Sequence, residues 1–123
     1  MTAPVRYYHG GPSGLQIGQK ILPPSVTGAA TTADFGARGV CRTDRVYVTT
    51  EYLAAYEFAC LHPSGRGRVY EVRPDTPVVP DPDATGPHSW ECESATILRS
   101  HRVRGKHVKA IKKMVRDEYG VRV

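Results

Sequence analysis

Four short runs of strand-favouring residues set the terms for this chain. They are PVRYYH near the start, DRVYVTT in the middle, RVYEVRP after it and ATILRSHRV towards the end. Their β-branched and aromatic residues and their alternation suit half-buried strands. In DRVYVTT, Val46 and Val48 face one side, and Tyr47 and Thr49 the other. Two further stretches recur at helical spacing. EYLAAYEFACL, led by Thr50 as a candidate cap, carries Leu53, Tyr56 and Leu61 with Ala54 and Phe58. A terminal amphipathic helix over about 105–119 carries Val108, Ile111 and Val115, and Gly120 ends it. Strands outnumber helices, so the expected class is α+β. No internal repeat is present.

The connecting stretches are uneven. GGPSGLQIGQKILPPSVTGAATTADFGARGV is crowded with Gly, Pro, Ser and Thr and reads mostly as loop, from about Gly11 to Cys41. A loop of that length in a small domain is functional or mobile. DTPVVPDPDATGPHS is proline-rich and reads as irregular. With 123 residues the chain suits one domain, 1–123.

Several classes are disfavoured. No run of about 18 apolar residues exists, so no membrane span is expected. MTAPVRYY lacks a charged-then-apolar leader, which makes a cytoplasmic protein the expectation. Cys41, Cys60 and Cys92 are odd in number and widely spaced, which fits reduced, partly buried thiols better than a disulfide framework or a zinc site. His62, His88, His101 and His107 show no HxxxH or HExxH spacing, so no metal is expected. SGRGRV lies between a helix and a strand, the wrong order for a dinucleotide fingerprint. There is no P-loop and no GxSxG elbow.

The formal charge of +5 is concentrated late in the chain. From Arg99 to Val123, nine lysines and arginines face only Asp117 and Glu118. Such a basic stretch either binds polyanions or is a solvated helix face.

Candidate site residues come from three places. In YYHGG, the strand delivers His9 to its end, and Gly10 and Gly11 leave bare backbone beside it. That suits a histidine meeting a ligand, although a loop histidine reads the same locally. Tyr47 either stacks on a planar ligand or fills a core. In WECES, Glu91 and Glu93 at period two point to one face, where a cation or a ribose diol needs them, or else form an exposed turn. Asp81 and Asp83 sit in a turn stiffened by Pro80 and Pro82, which is either punctuation or a fixed carboxylate.

Together, YYHGG, RVYVTT leading into an Ala-rich helix, and GRGRVYEVRP resemble the rifampin ADP-ribosyltransferase family. That family reads Tyr-x-His-Gly-Thr, then His-Val-Tyr-Ile-Thr, then Gly-Arg-Gly-Arg and a hydrophobic strand. The order agrees from about Val5 to about Ser100. Gly11 replaces the family's threonine, the long loop differs, and the basic helix has no counterpart.

The resemblance implies a small split antiparallel sheet that binds NAD, as co-substrate, in a cleft. His9 matches the histidine that holds the nicotinamide ribose. Gly10 matches the residue whose backbone pairs with the carboxamide. Tyr47 matches the tyrosine stacked on the nicotinamide ring, and Thr49 on the same strand joins the cofactor-binding set. The acid is Asp81 by the rifampin family's layout, or Glu93 by that of the wider superfamily. The implied activity moves ADP-ribose from NAD to an antibiotic hydroxyl, a protein or a nucleic acid, with nicotinamide released. The alternative is a non-catalytic nucleotide or nucleic-acid binding module on a degenerate transferase fold. In either case the basic helix is a candidate nucleic-acid contact.

Overall fold

Alternating runs that bury one face must pair with one another, and here they close into a single antiparallel sheet. The computed structural model describes residues 5–23, 25, 44–63, 65, 67–82 and 88–120. Among these, seven strands and two helices follow one another: β1 Tyr7–Pro12, β2 Lys20–Ile21, β3 Val46–Thr49, α1 Tyr52–Cys60, β4 Gly67–Pro74, β5 Val79–Pro80, β6 Ser89–Cys92, β7 Ala95–Arg102 and α2 Gly105–Tyr119. The strand order is β2-β7-β4-β1-β3-β6-β5. The class is α+β, with few helices. Cys41, Asp83 and most of the long loop lie outside the described residues.

The sheet is split beside β1. All six residues of β1 pair with β4, from Tyr7↔Val72 to Pro12↔Gly67. On its other side one pair, Tyr8↔Thr49, joins β1 to β3. One half is therefore β2-β7-β4-β1 and the other β3-β6-β5. Side chains bridge what the backbone does not. Val46, Val48 and Cys92 of the second half share a buried cluster with Ile21, Tyr70, Val72, Ala95 and Ile97 of the first.

The opposite face of the first half is covered by the helices. Ala55, Ala59 and Cys60 of α1 pack with Val69, Val103 and Val108. This corrects the expected apolar stripe of α1. Leu53 is 72% exposed and Phe58 42%, while the small residues are buried. The reason is close approach. A Cβ on Gly10 would lie 2.4 Å from the Ala55 carbonyl oxygen, and one on Gly67 2.7 Å from that of Ala59. Only small helix residues fit against a glycine-lined sheet. The expected Thr50 cap is also displaced: the helix cap is Glu51, and the Thr49 hydroxyl accepts the Glu51 N–H.

Two polar clips fix the edges. Asp75, just after β4, accepts from Lys20 Nζ at 2.9 Å, Ser94 Oγ at 2.8 Å and Thr96 Oγ1 at 2.7 Å, which ties β2 to the β6–β7 turn. The Lys20 hydrogen bond leads in holding the Asp75 carboxyl down to about 2, with those from Thr96 and Ser94 assisting. Tyr70, fully buried, donates its hydroxyl to the Pro12 carbonyl and accepts from the Leu15 N–H, which pins the turn after β1.

The short strands β2 and β5 fall where Gly and Pro content predicts loop, and β6 takes in most of WECES. Helix α2 follows the expected span and ends at Gly120 with φ 66°. Only Val108 of its expected stripe is buried, so most of the helix stands clear of the sheet. Its start is anchored by α1: the Tyr56 hydroxyl accepts the Arg104 N–H at 2.9 Å and is hydrogen-bonded to His107 Nδ1 at 2.6 Å. No helix among the described residues is long and apolar enough to cross a membrane.

Candidate active site at the split

His9 lies inside β1 rather than at its end, because β1 continues through Gly10 and Gly11 to Pro12. Its ring reaches across the split to the Tyr47 carbonyl, 2.7 Å from Nδ1. A carbonyl oxygen only accepts, so Nδ1 carries the proton. Burial is the main cause lowering the His9 pKa below 6.5, and His62 nearby adds to it against the Tyr47 hydrogen bond. A neutral ring with Nδ1 protonated presents Nε2 as an acceptor. That is the state suited to receiving a hydroxyl proton.

The two glycines have different reasons. Gly10 is bare because α1 lies on it, and Gly11 because the His9 ring does: a Cβ there would lie 3.1 Å from Nε2. The expectation that Gly10 lacks a side chain for a ligand's sake is therefore replaced by helix packing. Its backbone is a separate matter. Beyond Tyr8, no residue of β1 is registered with β3 among the described residues.

Directly opposed residues of an antiparallel pair share a face. Tyr47 opposes Glu91, and Thr49 opposes Ser89. The Asp81 N–H donates to the Ser89 carbonyl at 3.1 Å, and the Ser89 hydroxyl donates to Asp81 Oδ2 at 3.0 Å. Tyr47, Thr49, Ser89, Glu91 and Asp81 thus form one polar face of the β3-β6-β5 half. Asp81 lies in the same row as Tyr8↔Thr49, the pair that spans the split. Of the residues singled out in the sequence, His9, Gly10, Tyr47 and Thr49 lie on the two strands that flank the split, and Asp81 lies two strands beyond β3, past the end of β5. Tyr47, Thr49 and Asp81 share the face of Tyr8, whereas His9 shares the opposite face with Tyr70 and meets Tyr47 through its backbone carbonyl.

Glu93 is not among them. It is exposed, past the end of β6, with its N–H donated to Thr76 Oγ1. The expectation that Glu91 and Glu93 share a strand face is corrected, because β6 ends at Cys92. Glu91 is the acid inside the sheet, 2% exposed and opposite Tyr47. The signal was present in SWEC, where a strand of period two puts Glu91 out of phase with Trp90.

No cluster of three or more His, Cys, Asp or Glu suited to a metal exists among the described residues. Cys60 and Cys92 are free and buried, and burial is the main cause pushing both thiols up, Cys92 to about 11. Neither is a nucleophile at neutral pH. Neither the models of known protein families nor the curated proteins compared with this chain match it.

Proposed function

We propose that this chain is an NAD-dependent mono-ADP-ribosyltransferase. The observation that carries the reading is the split itself: a sheet joined across β1 and β3 by one pair, with the neutral His9 ring at that seam. The residues present suit a dinucleotide. The His9 Nε2 lone pair accepts a ribose hydroxyl. The unregistered edge of β1 at Gly10 offers backbone groups to a carboxamide. Tyr47, partly exposed, offers a ring face.

The chemistry asks little more of the protein. The bond between ribose C1′ and the nicotinamide nitrogen breaks, the pair leaves with neutral nicotinamide, and an acceptor oxygen bonds to C1′. The transition state resembles an oxocarbenium ion, as in glycoside hydrolysis. A carboxylate at that point stabilises the charge and takes the acceptor's proton. Asp81, with its orientation held by Ser89, is the acid assigned this role.

A second reading, a non-catalytic module for nucleotide or single-stranded nucleic acid, draws on a different surface. Tyr8, Tyr52 and His101 form edge-to-face contacts with ring centroids at 5.4 and 5.8 Å, beside the basic helix α2. Rings flanked by cations suit stacked bases.

Nicotinamide release separates the two. The chain is incubated with NAD and free nicotinamide is quantified by chromatography. Steady release is expected, with kcat/KM falling about tenfold to a hundredfold in His9→Ala, the loss of one strong hydrogen bond. No release by the wild type, or equal release by His9→Ala of unchanged fold, would sink the transferase reading.

A further inference from the structure

A second polar site lies at the other end of β1, in a hollow of about 230 Å³ lined by Ser13, Gly67, Arg68, Arg102 and Val103. Arg68 and Arg102 oppose each other on β4 and β7. Like charges placed directly opposite repel, and sheets ordinarily avoid them. Here neither guanidinium meets a carboxylate among the described residues. One of them is positioned: Arg68 Nε donates to Ser100 Oγ at 2.6 Å. That bond turns Arg68 along the sheet and leaves its terminal nitrogens for another acceptor. Gly11 opposes Arg68 on the β1 side, where the His9 ring lies over it, so Arg68 and His9 are neighbours on one face.

We propose that this hollow is a phosphate site. Two guanidiniums, a serine hydroxyl and the Gly67 backbone make a donor-rich, acceptor-poor wall, the composition that suits phosphoryl oxygens. Its size excludes a whole dinucleotide, being below the roughly 300–1,000 Å³ of pockets that enclose drug-sized ligands. It fits a diphosphate or a phosphate monoester. Its place is informative too. Arg68 is one row from His9 on the same face, about 7 Å along the strands. A ligand whose ribose sits at His9 reaches the hollow with its diphosphate. A phosphorylated acceptor reaches it from the opposite side. The choice between these sources rests on the transferase reading; the phosphate site does not.

The test uses inorganic pyrophosphate, titrated into the full chain at constant ionic strength and followed by calorimetry. Saturable binding is expected, weakened about tenfold in Arg102→Gln and in Arg68→Lys, since each removes part of a bidentate contact. Arg102 is exposed, so its variant keeps the fold, which a thermal melt verifies. Absent binding, or equal binding in wild type and Arg102→Gln, would overturn the proposal. Nicotinamide release then assigns the source. A KM for NAD raised about tenfold at unchanged kcat places the dinucleotide's diphosphate in the hollow. An unchanged KM beside weakened pyrophosphate binding places the acceptor's phosphate there. Pyrophosphate binding by a chain that never releases nicotinamide keeps the phosphate site and removes the transferase.

Discussion

The two halves of the sheet are built on different terms. In β2-β7-β4-β1, long ladders, bare glycines and helices packed at close range leave little room for change. In β3-β6-β5, strands of two to four residues carry a polar face and no helix lies on it among the described clusters. Close-packed architecture concentrates in the first half; the second carries the polar face of Tyr47, Thr49 and Asp81, with His9 on the border strand. Division of this kind lets a rigid frame position groups on short, variable elements.

The largest effect expected from testing that division is on the frame. Gly10→Ala places a methyl group 2.4 Å from a backbone oxygen of α1, and backbone has no rotamer with which to retreat. A loss of about 3 kcal/mol or more is expected, read as a midpoint shift in urea. A loss under about 1 kcal/mol would show that α1 can lift away, and the contrast between the halves would weaken.

Next comes the polar face, where loss of activity should leave stability nearly intact. Asp81→Asn is expected to lower kcat about a hundredfold with KM little changed, because the carboxylate acts on a charge that develops in the transition state. Glu93→Gln, remote from the split, is expected to stay within about twofold, an ordinary surface result. The reverse ranking would move the acid to the β6–β7 turn and detach it from the row that spans the split.

Acid separates the halves by pH. His9 and His62 are held below 6.5, chiefly by burial, so they bind protons more readily in the unfolded chain. Stability is fully present above about pH 6.5 and falls as pH drops below it. Asp75 has the same sign in a lower window: lowered from 3.8 to about 2, it stabilises fully above pH 3.8 and loses that contribution only on the way down to about 2. Hydrogen exchange at pH 5 should therefore rise around the split before it rises at the Lys20–Asp75 clip. Simultaneous loosening of both would mean that the histidines do not report on the split.

The smallest effect is expected from α2. Neutralising Lys109, Lys112, Lys113 and Arg116, all exposed or half-buried, should leave nicotinamide release unchanged. Binding of a single-stranded oligonucleotide, if the helix contributes it, should weaken with salt in the wild type and less steeply in the variant. A changed kcat for NAD cleavage would tie α2 to the split and blur the comparison.

What the amino-acid order disclosed follows the same division. β1, β3, β4 and β7 were legible because period-two alternation is a local signal, and α2 because its polar face and final glycine are. α1 was legible as a helix but not in its facing. Leu53 and Phe58 look like core until the glycines of β1 and β4 beneath the helix demand Ala55 and Ala59 instead. β5 was hidden because two residues among prolines carry too little pattern, and β6 showed its period-two signal but not its end. The burial of Glu91 against the exposure of Glu93 depends on where β6 stops, and a strand end is set by its partners. His9 and Tyr47 were legible as candidates; the hydrogen bond joining them depends on a separation of 38 residues, which no local pattern encodes.

The bridge of apolar side chains across the split has a mechanical consequence. A ladder of hydrogen bonds resists shear, because each bond has a direction. Valine against tyrosine and isoleucine does not, since burial depends on area and hardly on angle. Val46 and Val48 share their buried cluster with Tyr70 and Ile97, a contact without directional bonds. The split is therefore held by one rung, the His9–Tyr47 hydrogen bond and this apolar contact, so rotation there would leave the rungs within either half intact.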